Sequence, residues 1–122
     1  LKAVLLSVVV LVELHNATLT VDHPELQMET PVVVGKANTP TPTGIYLLKK
    51  AYSTQLNMPV LVFMQDGNEV WALHPNLVSR TKQLNSVEVE DNSLSAGCIG
   101  LNDAQFDRLW NQKQTLILQV TP

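Results

Sequence analysis

The sequence predicts a mainly β domain with one or two short helices, and three observations predict it. Short apolar or alternating runs recur at strand intervals, and Gly, Pro, Asn and Asp punctuate them. A single stretch combines a helix cap with an apolar stripe at helical spacing. The chain has 122 residues, 45% of them hydrophobic and 16% charged, which suits one core and is too apolar for a disordered chain. One domain over residues 1–122 is expected, without an internal repeat, a low-complexity segment or a linker.

The most apolar run, Ala3 to Val12, is far shorter than the ~20 residues that cross a bilayer. Its β-branched half, Val8 to Val12, runs into Glu13-Leu14 and reads as a buried first strand. Residues 1–7 are expected to be the remnant of an export segment or an expression artefact. Ala17-Thr18-Leu19-Thr20-Val21 alternates apolar and polar residues and stops at Asp22-His23-Pro24, which predicts a second strand after a turn at His15-Asn16. Met28 to Val34 is a third, and Pro31 inside it points to an edge or a bulge. Thr39-Pro40-Thr41-Pro42-Thr43-Gly44 is a stiffened, extended loop, because each proline fixes its own φ and biases the residue before it. Ile45 to Leu48, Val60 to Met64 and Val70 to His74 follow as strands, the last two joined by a turn at Asp66-Gly67-Asn68. Thr115 to Val120 closes the chain as a strand.

The helix begins at Asn102. That residue is a good N-cap, Gln105 stands three positions later as in a capping box, and Asp103 suits the positive end of the dipole. Leu101 is placed to staple to Phe106, and Phe106, Leu109 and Trp110 form one apolar face. That stripe is ordinary core packing and implies no cofactor.

Eight Lys and Arg against eleven Asp and Glu give a net charge of −3. The basic residues are scattered, so nothing follows a phosphate backbone, and nucleic acid is excluded as the expected partner. A single cysteine, Cys98, rules out an internal disulfide framework and a zinc site built from several thiolates. Its surroundings favour reactivity over packing. Cys98 sits in Ser95-Ala96-Gly97-Cys98-Ile99-Gly100 just before the helix N-terminus, and positive potential there promotes a thiolate. Gly97 is read as permitting a sharp bend beside the sulfur, so that the amides of Ala96, Gly97 and Cys98 point at a developing oxyanion. A cysteine nucleophile needs a base. His15 and His23 sit at turns, where a solvated surface role is the default, whereas His74 ends a strand and precedes Pro75.

These residues resemble the catalytic domain of the L,D-transpeptidases, the YkuD-like enzymes of bacterial cell walls. Val32-Val33-Val34-Gly35-Lys36 and Thr39-Pro40-Thr41-Pro42-Thr43-Gly44-Ile45-Tyr46 are similar to the family's VGK…TPTG segment, His74 follows at a strand end, and Ser95-x-Gly97-Cys98-Ile99 matches its Ser-His-Gly-Cys signature. There are three departures. Ala96 replaces the usual histidine, which removes a side chain and keeps an amide. Gly100 stands where the family usually has arginine or asparagine. The 24 residues from His74 to Cys98 exceed the usual spacing, which implies an enlarged loop from Pro75 to Leu94 with an acidic patch at Glu88-Val89-Glu90-Asp91. The acidic patch is expected to be a solvated face, with a lid over the cleft as the other reading.

The resemblance implies a β-sandwich, an exported location in the periplasm or cell envelope, and peptidoglycan stem peptides as substrate. It also implies β-lactams of the carbapenem type as covalent inhibitors, and no metal or organic cofactor. Cys98 is then the nucleophile and His74 the general base and acid, with backbone amides of Ala96, Gly97 and Cys98 as the oxyanion hole and Ser95 and Pro75 as supports. An L,D-carboxypeptidase on the same scaffold and a non-catalytic wall-binding module are the alternatives, and the oligomeric state is left open.

Overall fold

The computed structural model of the chain describes residues 7–75 and 97–122. Within them the elements run β1 (Ser7–Glu13), β2 (Thr18–His23), β3 (Leu26–Pro31), β4 (Gly44–Leu47), β5 (Lys49–Ser53), β6 (Met58–Asp66), β7 (Glu69–His74), β8 (Ile99–Gly100), α1 (Asp103–Trp110) and β9 (Thr115–Thr121). They form two sheets, one ordered β3-β2-β1-β9-β4 and the other β5-β6-β7-β8. The mainly β expectation holds, with one helix among the described residues.

Alternation explains how the sheets face each other. Val8, Val10 and Val12 of β1 are fully buried, and so is Leu118 of β9. Parallel pairing of β1 with β9 sets Val8 beside Leu116 and Val10 beside Leu118, so one face of this sheet is a continuous apolar layer. Leu61, Phe63, Leu73 and Ile99 of the second sheet join the same core, together with Leu101, Phe106 and Leu109 around the helix. Each such fully buried Leu or Phe contributes about 1.5–3 kcal/mol from its removal from water. Leu48 is the corner where the chain leaves the first sheet for the second. Its N–H donates to Leu116 O at 3.0 Å and its side chain is buried.

Several boundaries differ from expectation for physical reasons. The first hairpin turns over Leu14–Ala17, Ala17 adopting φ 51°. The predicted Met28–Val34 strand is instead Leu26–Pro31. Pro31 terminates this edge strand, and Val33 makes a separate antiparallel bridge to Gly100. The predicted Ile45–Leu48 strand is Gly44–Leu47, and β5 follows it where no strand was expected. Four of the five β5 residues are exposed, so its Lys49-Lys50-Ala51-Tyr52 run has no alternation to read. Backbone pairing with β6 makes it a strand. β8 has two residues, too few for any pattern.

The helix starts as expected, with the Asn102 side chain accepting the Gln105 N–H at 2.9 Å. Half of the capping box forms there. Gln105 Oε1 accepts from Arg108 at 3.0 Å, and the second Arg108 nitrogen donates to Gln27 O at 2.8 Å, tying α1 to β3. Among the described residues no helix is long and apolar enough to cross a membrane.

Candidate active site

The site grows from the junction of β7 and β8. These strands are parallel, with Leu73 opposite Ile99 and His74 opposite Gly100. Leu73 and Ile99 are both fully buried in the core, so alternation directs His74 and Gly100 to the other face. The Leu101 N–H donates to His74 O at 3.1 Å, fixing the end of β7. Gly100 is held from its second side as well, exchanging two 2.9 Å bonds with Val33.

One step earlier the ladder changes character. The Ala72 N–H donates to Cys98 Sγ at 3.3 Å, and the thiol faces Val70 O at 3.6 Å. A strand's C=O at one residue and N–H two residues later point to the same edge, so the sulfur occupies a position where a neighbouring strand would offer its backbone. An N–H aimed at sulfur favours negative charge there. Cys98 is 8% exposed. His74 lies two residues along β7 from Ala72, about 7 Å by strand rise, and is half-buried.

The backbone is free to leave the ladder because its carbonyl is taken elsewhere. Thr41 Oγ1 donates to Gly97 O at 2.8 Å and accepts the Gly35 N–H at 2.9 Å. Thr41 is 2% exposed, and its hydroxyl ties Gly35, six residues earlier, to Gly97, 56 residues later. Close approach requires glycine at both partners. A Cβ on Gly35 would meet Thr39 O and the Thr41 nitrogen, and one on Gly97 would lie 3.0 Å from Pro40 O and 3.3 Å from Thr41 Cα. Tyr46 anchors the following residues by donating to Thr43 O at 2.8 Å and Pro42 O at 3.1 Å. Burial raises its phenol above the ordinary 10.0.

A family model described as the L,D-transpeptidase catalytic domain, YkuD, matches residues 7–117. The chain belongs to the L,D-transpeptidase catalytic-domain family. No curated protein matched it in sequence. Solved structures match in fold. L,D-transpeptidase 3 from Mycobacterium tuberculosis, in complex with a faropenem-derived adduct, is 17% identical with a TM-score of 0.64 over 94% of this chain and 60% of that one. An L,D-transpeptidase from Stackebrandtia nassauensis is 18% identical, TM-score 0.59, over 94% and 55%. LD transpeptidase LdtMt1 in complex with imipenem is 16% identical, TM-score 0.60, over 93% and 58%. The chain thus spans about 60% of the first of these relatives.

For this L,D-transpeptidase-family domain the expected site residues divide into two groups. His74, Pro75, Gly97 and Cys98 converge on the β7–β8 junction, Pro75 being buried next to His74. Ser95, Ala96, residues 76–94 of the enlarged loop and the Glu88–Asp91 patch lie outside the described residues. Gly97 lies in a turn. Pro40 and Thr41 beside it leave no space for a side chain.

The histidines also separate. His15 is exposed as expected. His23 is not a surface residue: it is 6% exposed, and its Nδ1 accepts the Glu25 N–H at 3.0 Å. Ending β2 on an inward-facing register turned it into the core. Sequence reasoning missed Thr41 as a bridging group and the β7 backbone as the cradle of the sulfur. The available signal was a small hydroxyl between two prolines, on a loop too stiff to need it for its own shape. No group of three His, Cys, Asp or Glu among the described residues is placed to hold a metal ion.

Proposed function

We propose that this domain is a cysteine-dependent L,D-transpeptidase acting on peptidoglycan stem peptides, in the periplasm or cell envelope where that substrate lies. The observation that carries the reading is the placement of the Cys98 sulfur on β7 backbone at 3.3 Å from the Ala72 N–H, on the strand that ends in His74. His74 takes the thiol proton, and the thiolate attacks the carbonyl carbon of the L-centre at the third stem residue. The tetrahedral oxyanion is received by backbone N–H groups at Gly97 and Cys98, with Ala96 as a further donor. Each such donor is worth about 2.7–4 kcal/mol in well-studied hydrolases. As the C–N bond breaks, His74 returns the proton to the departing D-alanine amine. An acceptor amine, deprotonated by His74, then attacks the thioester and releases the thiolate.

Intact-protein mass spectrometry after exposure to imipenem tests this. Sγ bonds to the lactam carbonyl, the ring C–N bond opens and its nitrogen takes a proton, so the protein gains the mass of the whole inhibitor. Wild type is expected to gain it and Cys98→Ser is not. Folded wild type that stays unmodified argues against the assignment. Incubation with a purified tetrapeptide stem then separates cross-linked dimer from a trimmed tripeptide, the product of a carboxypeptidase.

A further inference from the structure

We propose that Thr41 is a positioning residue for acyl transfer, its buried hydroxyl setting the direction in which the Cys98 N–H points. The inference rests on the reading above, in which that N–H receives the oxyanion. It starts from the hydroxyl itself. Thr41 Oγ1 has one proton to give, and because it already accepts the Gly35 N–H at 2.9 Å, that proton is directed to Gly97 O at 2.8 Å. The Gly97 carbonyl and the Cys98 N–H belong to one planar peptide group, and the described residues contain no cis peptide. In a trans peptide the C=O and N–H vectors are antiparallel. Holding the carbonyl toward the Pro40–Thr41 loop therefore aims the Cys98 N–H the opposite way.

The surroundings make this orientation stiff. Pro40 and Pro42 flank the hydroxyl and restrict the loop that carries it, and Tyr46 ties down Pro42 and Thr43 from the other end. A Cβ on Gly97 would lie 3.0 Å from Pro40 O, so the peptide and the loop are in direct contact. A preorganised donor is effective because it does not have to turn when charge develops. Thr41 supplies that fixity without touching the substrate.

The test compares two reactions of one thiol. Acylation by imipenem passes through an oxyanion; alkylation by iodoacetamide, a substitution at an sp³ carbon, does not. Both rates are measured by quench mass spectrometry on wild type, Thr41→Val and Thr41→Ser. Thr41→Val is expected to slow acylation by roughly 10–100-fold, less than the full loss of an oxyanion donor, and to leave alkylation within about threefold of wild type. Thr41→Ser, which keeps the hydroxyl, is expected to restore acylation to within about threefold. Acylation of Thr41→Val at the wild-type rate overturns the proposal. A matched fall in both reactions also overturns it, because the residue then acts only on the thiol or the fold. If Thr41→Val does not fold, Thr41→Ala is held to the same ratio. Wild type that alkylates and never acylates defeats the transpeptidase reading itself, and this proposal with it, whereas an acylating wild type matched by Thr41→Val defeats this proposal alone.

Discussion

The turn at Gly67 and the turn at Gly97 both need glycine, for opposite reasons. Gly67 closes the β6–β7 hairpin with φ +62°, and a Cβ there would meet nothing within 4 Å. At Gly97, by contrast, a Cβ would lie 3.0 Å from Pro40 O and 3.3 Å from both Thr41 Cα and Trp71 Cδ1. The first glycine answers a torsional demand from its immediate neighbours in the chain. The second answers a demand for space from a loop more than fifty residues earlier. A turn of the first kind shapes a hairpin; a turn of the second kind places a functional group against a distant segment. The difference predicts that damage at Gly67 appears in stability alone and damage at Gly97 in chemistry as well.

The largest expected effect lies on the chemical side. His74→Gln is expected to keep the fold and to slow imipenem acylation at pH 7 by about 10²–10⁴-fold, the usual range for a lost general base. Raising the pH toward the ordinary thiol value of ~8.5 should recover part of the loss, because hydroxide then forms the thiolate. Two controls mark the contrast. His15→Gln, at an exposed turn, should match wild type in rate and in melting. His23→Gln should melt lower, since it removes a buried acceptor of the Glu25 N–H, yet acylate normally. A His74→Gln variant that acylates at the wild-type rate at pH 7 would remove His74 from the mechanism.

Gly97→Ala should come next. The added methyl presses on a backbone carbonyl rather than on a flexible side chain, so either the Pro40–Thr41 loop or the Gly97–Cys98 peptide must move. Overpacking of this kind costs about 1–3 kcal/mol, readable in urea melts. Acylation should fall more than tenfold, because the same shift disturbs the 2.8 Å bond from Thr41 to Gly97 O. Equal loss of stability with unchanged acylation would mean that the peptide's position is not critical to the reaction.

The same contrast explains what was legible in the sequence. Features set within a few residues could be read: the Asn102 cap, the Gly67 turn, the β-branched first strand from Val8 to Val12. The candidate pair Cys98 and His74 was legible because cysteine, glycine and histidine carry their chemistry in their identities. What stayed hidden depends on partners distant in the chain. β5 has no pattern of its own and exists through pairing with β6, β8 is two residues long, and His23 faces the core because of where β2 ends. The Thr41 bridge spans 56 residues. A threonine between prolines looks like loop filler until Gly35 and Gly97 are seen on either side of its hydroxyl.

The smallest effect is expected at Gly67. Alanine there has open space but must adopt φ near +62°, a left-handed torsion that costs an L-residue roughly 1–2 kcal/mol. Asparagine tolerates this region better than alanine, so Gly67→Asn should lose less stability than Gly67→Ala in the same urea melts. Neither should alter imipenem acylation, because the hairpin meets the site only through β7, whose far end carries His74 and whose register is held by both β6 and β8. If Gly67→Ala and Gly67→Asn destabilise equally, the torsion is not what glycine provides at this turn. If either slows acylation while remaining folded, the register of β7 is set at the hairpin and transmitted to the sulfur through Val70 and Ala72, and the separation drawn between the two turns fails.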